Sequence, residues 1–164
     1  MEKARRAALP MAVLAIMLQL AACSDAPAYL HSVDVDSSEW TSADTLVFPI
    51  RVDAEAKSYS PLEQNFPYCL SLIVRYDGVY PMPDAKVCIQ LSDGSKPLSE
   101  IRVVDLPLAD EDGFPDGERV GTLCLKTIDV PSAFYLFPDS GDYQLRIWPD
   151  SVATHIVSLT ATLE

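Results

Sequence analysis

The chain has 164 residues, enough for one domain plus a processing segment. Hydrophobic residues make up 49% and charged residues 22%, a globular composition and not a disordered one. With 12 Lys+Arg against 24 Asp+Glu the formal charge is −12, which excludes nucleic acid as a partner, because phosphate backbones are bound by clustered Lys and Arg.

Residues 1–23 have the three parts of an export signal. Lys3, Arg5 and Arg6 form a positive end, residues 7–20 an apolar stretch broken only by Pro10 and Gln19, and Leu20-Ala21-Ala22-Cys23 sets small side chains before a thiol. The apolar stretch of 14 residues falls short of the ~20 that a membrane-spanning helix needs. The tetrapeptide resembles the lipobox of bacterial lipoproteins, in which the Cys sulfur takes a diacylglyceryl group and a peptidase cuts just before it. That resemblance implies a cleaved signal peptide over 1–22, a lipid on Cys23, a short tether over 23–27 and a domain over 28–164.

Cleavage removes Lys3, Arg5, Arg6 and Glu2, leaving 9 basic and 23 acidic residues, or −14. Anionic head groups repel such a surface, so the membrane is held through the anchor at Cys23, to which each buried CH₂ contributes about 0.8 kcal/mol. Ser24 after the cysteine resembles a sorting signal for the outer membrane. The expected location is its inner leaflet, facing the periplasm.

Beyond the tether, clusters of Pro, Asp, Ser and Gly punctuate short apolar runs, the rhythm of strands joined by turns. The pattern predicts strands over 29–35, 46–52, 69–76, 86–91, 99–106, 122–126, 133–136, 143–148 and 155–163. In the third of these, alternation puts Leu70, Leu72 and Val74 on one face and Cys69, Ser71 and Arg75 on the other. Asp77-Gly78, Ser92-Asp93-Gly94-Ser95 and Ser140-Gly141-Asp142 read as turns. No stretch downstream of the signal has sustained helical spacing. The predicted fold is therefore all-β, an antiparallel β-sandwich of jelly-roll or immunoglobulin-like type, with the irregular segment 53–67 crossing between its sheets.

Lipidation of Cys23 leaves Cys69, Cys88 and Cys124, an odd number, so at least one stays unpaired even in an oxidising compartment. A Cys69–Cys88 disulfide requires their strands to be neighbours; otherwise these are half-buried thiols. There is no Cys-x-x-Cys pair and no His close in sequence to a Cys, so a zinc site is not expected.

No catalytic motif is present: no Gly-x-Ser-x-Gly elbow, no His-Glu-x-x-His helix and no glycine-rich phosphate loop. The acidic run 110–118 carries alternate carboxylates, Asp110, Asp112 and Asp116, in a loop with glycines, the composition that Ca²⁺ ligation uses. Its spacing does not follow the EF-hand loop, and a solvated acidic hairpin loop is the expected reading. Trp40, Phe48, Tyr68, Tyr76, Tyr80, Tyr143 and Trp148 fall where a sandwich core needs aromatics, and Tyr143 is placed to bond backbone at a sheet corner.

Read in order, these segments resemble the gliding-motility lipoprotein H (GldH) family. Trp40 is followed by the apolar strand of Leu46 and Phe48. Tyr68, Leu70, Leu72 and Arg75 form a Tyr-led strand before the pair Tyr80-Pro81. A central stretch follows with Leu106, Leu108, Ala109, Asp110, Asp112, Gly113 and Gly121, and then the run Phe137-Pro138-Asp139-Ser140-Gly141-Asp142-Tyr143. Phe114 stands where the family has Trp, the loop after it is longer, and a Met-Arg segment is shortened into Trp148-Pro149-Asp150, marks of a diverged member.

The resemblance implies a β-rich envelope lipoprotein linked to gliding and protein secretion, with no enzymatic chemistry and no cofactor. The leading function is docking onto envelope proteins of a gliding or secretion apparatus, by charge or by strand addition. The alternatives are a lipid-anchored carbohydrate-binding module, which needs exposed Trp40, Tyr80 and Trp148 on one face, and a Ca²⁺-stabilised adhesin.

Overall fold

The computed structural model describes residues 27–36, 38–53, 62–63, 65–94 and 96–164. The signal segment and Cys23 lie outside them. The apolar–polar alternation becomes strand after strand: β1 (Tyr29–Asp34), β2 (Glu39–Trp40), β3 (Leu46–Asp53), β4 (Leu62–Glu63), β5 (Pro67–Asp77), β6 (Ala85–Ser92), β7 (Arg102–Leu106), β8 (Glu118–Val120), β9 (Leu123–Leu136), β10 (Gly141–Pro149), β11 (Ala153–Thr154) and β12 (Ile156–Leu163).

Two five-stranded sheets result, in the orders β1-β12-β5-β9-β8 and β4-β3-β10-β6-β7, with β11 and β2 paired as a small ribbon. All these pairings are antiparallel except the short one between β3 and β4, which is parallel. No helix occurs among the described residues. The expected all-β sandwich of antiparallel sheets is the fold that forms.

The inward faces follow the period of two. Leu46, Phe48, Ile50 and Val52 of β3 are buried, as are Tyr68, Leu70, Leu72, Val74 and Tyr76 of β5 and Tyr143, Leu145 and Ile147 of β10. They meet in one cluster between the sheets. Each aliphatic or Phe side chain so withdrawn from water contributes about 1.5–3 kcal/mol. Tyr143 also makes the expected corner: its hydroxyl donates to the Asp139 carbonyl at 2.8 Å, and its ring meets Phe137 edge-on at 4.9 Å.

Several features differ from the sequence expectation: β2, β4, β8 and β11 are not among the predicted strands, and Gly141-Asp142, read as a turn, open β10. Residues 99–101 are not strand, and β7 starts at Arg102. The expected strands 122–126 and 133–136 are one, β9, which runs through Pro131. The register against β5 breaks there, between Cys69 and Ser71, and Ser132 takes φ 56°. Proline is admitted because the side of β9 away from β5 has no partner strand at Pro131 among the described residues, so no ladder bond needs its N–H. The chain crosses between the sheets within 53–67, as expected, but that segment also holds β4, which stays with β3 before the crossing.

The pairings also define two ends. Tyr29 pairs with Leu163, Pro67 with Leu136, and Val52 with Gly141. The end where the chain enters β1 therefore carries the loops 93–101 and 137–140. The opposite end carries 78–84, 107–117 and the β2–β11 ribbon.

Candidate interaction surfaces

Among the described residues, the side of the sandwich next to β7 and β9 is open. β7 is the last strand of its sheet. β8 covers β9 only at Leu123, Cys124 and Leu125, so from residue 126 onward β9 has no strand on that side among the described residues. The two free edges face each other across a trough. Arg102 Nη1 donates to the Pro131 carbonyl at 2.6 Å and divides the trough into two bays.

The bay toward the chain-entry end has a volume of about 490 Å³, with Ile89, Leu91 and Ala133 at its floor and Leu98, Ile101, Tyr135 and Leu136 on its walls. The other, about 550 Å³, runs between Val103, Val104 and Pro107 on one side and Ile128, Asp129 and Ser132 on the other. Leu98 is 47% exposed, Ile101 55%, Val103 55% and Leu136 54%. Four large apolar side chains left in water along one trough are more than single surface hydrophobes, and such clustering marks interaction sites. Burial raises the Tyr135 phenol above its ordinary value, with the Arg102 charge opposing.

The acidic loop is built as a turn. The Asp110 carboxylate accepts the backbone N–H of Asp112 at 3.0 Å and of Phe114 at 2.8 Å. Asp116 is held instead by Lys126, whose ammonium also reaches the Pro107 carbonyl. Asp110, Asp112 and Asp116 therefore do not converge as Ca²⁺ ligands, and no group of three or more candidate metal-ligating side chains occurs among the described residues.

The proposed Cys69–Cys88 pairing is corrected in the same way. Cys69 is on β5 in one sheet and Cys88 on β6 in the other, so their strands are not neighbours. Cys69 is exposed, Cys88 and Cys124 are buried, and all three are free thiols. Burial raises the Cys88 thiol, helped by Asp150, whose carboxylate lies 3.8 Å from its sulfur. Cys23, the expected lipid site, is outside the described residues.

The aromatics divide. Trp40, Phe48, Tyr68, Tyr76 and Tyr143 are core. Trp40 also closes a loop by donating its Nε1–H to the Asp44 carbonyl at 2.6 Å. Trp148 is half-buried on the outer face of its sheet, and Tyr80 sits in a loop. Trp40, Tyr80 and Trp148 thus share no face.

Tyr80 and Phe114, on separate loops, stack at 4.4 Å between centroids and 25° between planes. The sequence places Tyr80 among the core aromatics and marks Phe114 only as standing where the family has Trp; that the two rings meet is not legible there. Their proline- and glycine-rich settings were the available signal that both lie on turns.

A model of the GldH lipoprotein family matches residues 28–151. The chain belongs to the GldH lipoprotein family. As a GldH lipoprotein it is a lipoprotein of the cell envelope, and its match begins just before β1 and runs to the end of β10. β12, which joins β1 to β5, lies beyond the matched residues. Among curated proteins none matches the chain. Among solved structures, "CBM35 from Cellvibrio japonicus Abf62" is similar, at 11% identity and a TM-score of 0.39, covering 83% of this chain and 96% of that one. At that score the likeness says nothing about what the GldH chain binds.

Proposed function

We propose that this GldH lipoprotein is a non-enzymatic docking component of a gliding or secretion apparatus. The lipid on Cys23 holds it in the inner leaflet of the outer membrane, facing the periplasm, and the trough between β7 and β9 receives a segment of an envelope protein. The observation that carries the reading is that trough: two unpaired strand edges flanked by Leu98, Ile101, Val103 and Leu136, all exposed. A free edge offers main-chain hydrogen bonds to an added strand, and alternate apolar side chains of that strand fill the bays.

No cofactor enters this reading. Family membership supports envelope attachment, and the short interval from Cys23 to Tyr29 supports a domain held close to the bilayer: six residues span at most about 20 Å. The test is to crosslink the lipidated protein in its own membrane and identify what it captures. Recovery of gliding or secretion components supports the proposal, and recovery of a lone monomer counts against it.

A further inference from the structure

The end opposite the chain entry carries a second feature, independent of the trough. Tyr80 is 63% exposed and Phe114 52%, although each is a large ring that folding ordinarily buries. The pair is held in place. The Met82 N–H donates to the Gly113 carbonyl at 3.0 Å, tying one loop to the other. Asp110 bonds the backbone N–H of Phe114 as described, while the Phe114 carbonyl accepts the Asp110 N–H at 2.9 Å. Gly113 between them has φ +85°, a conformation side-chain-bearing residues rarely adopt. The two rings stack on one another and stay more than half exposed.

The surroundings set the sign of what binds. Segments 78–84 and 107–118 contain Asp84, Asp110, Glu111, Asp112, Asp116 and Glu118 and no Lys or Arg. Lys126 neutralises Asp116 from the neighbouring strand, Lys86, bridged to Asp105, also acts on Asp84, and Arg119 follows Glu118; Asp110, Glu111 and Asp112 set the local field beside the rings. An anionic partner is repelled, and a purely apolar one strips water from carboxylates without replacing it. A planar guanidinium satisfies both parts, since it stacks on an aromatic face and turns its edge donors to carboxylates.

We propose that the Tyr80–Phe114 pair is a docking site for an arginine-bearing segment of a partner protein. It sits at the end opposite the one where the chain enters β1.

The test uses the full lipidated chain in detergent micelles, titrated with a short Arg-Gly repeat peptide while the ring resonances of Tyr80 and Phe114 are followed by NMR. The same peptide with citrulline for arginine keeps the planar shape and loses the charge. The arginine peptide is expected to shift both rings, and Phe114→Ala or Tyr80→Ala to weaken its binding about two- to fivefold. Phe114→Trp should retain it, and Ile101→Asp in the trough should leave it unchanged, which separates this site from the docking trough. Since both rings are exposed, the alanine variants should melt with the parent protein. Equal binding of the citrulline peptide, or unchanged binding by both alanine variants, would overturn the proposal. So would a chito-oligosaccharide that shifts the rings while the arginine peptide does not.

Discussion

Arg102 donates a hydrogen bond to the Pro131 carbonyl at 2.6 Å and so joins the free edge of β7 to the free edge of β9. It is an exposed link between two strands that share no ladder. Arg102→Ala is expected to cost about 1 kcal/mol or less, the net value of a hydrogen bond at a wet surface, and to leave the sheets paired. Chemical denaturation checks the first point and amide exchange of β6 and β9 the second. Loss of protection throughout β9 would make the link a structural clasp instead of a divider of the trough.

Tyr76 gives a pH dependence. Its ring is fully buried and its hydroxyl donates to the Leu108 carbonyl at 3.1 Å. Burial, aided by Cys124 and Asp116, pushes the phenol up to about 12. Burial alone does the same for Tyr29, also to about 12. The unfolded chain ionises near the ordinary value of about 10. The folded state therefore holds these protons more tightly. The stability this confers is complete below pH ~10 and is lost as the pH rises through about 12. Unfolding free energy should fall across that window, and less steeply in Tyr76→Phe, which should also cost about 1 kcal/mol at neutral pH for the lost hydrogen bond. A parent protein whose stability is flat across the window would contradict this assignment.

The acidic loop should be indifferent to calcium. Asp110, Asp112 and Asp116 are not gathered into a ligand group, and Asp116 is paired with Lys126, so adding millimolar calcium or a chelator should leave the melting temperature unchanged. A calcium-dependent rise would show that the loop rearranges to gather its carboxylates.

Thiol labelling should separate the cysteines. Cys69 faces solvent on the outer side of β5, while Cys88 and Cys124 are buried. Maleimide is expected to modify Cys69 in the folded protein and the other two only after denaturation. A protected Cys69 would place another molecule over that face.

Much of the fold is legible in the residues because one face of each long strand is dry. In β3 and β5 the pattern Leu46, Phe48, Ile50, Val52 and the pattern Tyr68 to Tyr76 carry period two without interruption. The short strands β2, β4, β8 and β11 have two or three residues each, too few for a period to show. Pro131 reads as a break, and its tolerance depends on the absence of a neighbouring strand, a tertiary fact. The trough was invisible for the same reason: nothing local in the segment around Ile101 and Val103 shows that β7 is an edge. The separation of Cys69 from Cys88 likewise depends on which sheet each strand joins, which local alternation does not encode.

The central claim is that envelope proteins dock in the trough, and site-specific photocrosslinking tests it most directly. A photoreactive residue replaces Ile101 in the trough or, as a control, Ser32 on the outer face of the other sheet, in the lipidated protein in its own membrane. Both positions are exposed, and surface substitutions there should alter stability by no more than about 0.5 kcal/mol. The expected result is a discrete crosslinked envelope protein from position 101, absent from position 32 and lost when Val103→Asp is added. Equal capture from both positions, or none from position 101 while the lipidated chain is intact and folded, would contradict docking at this edge.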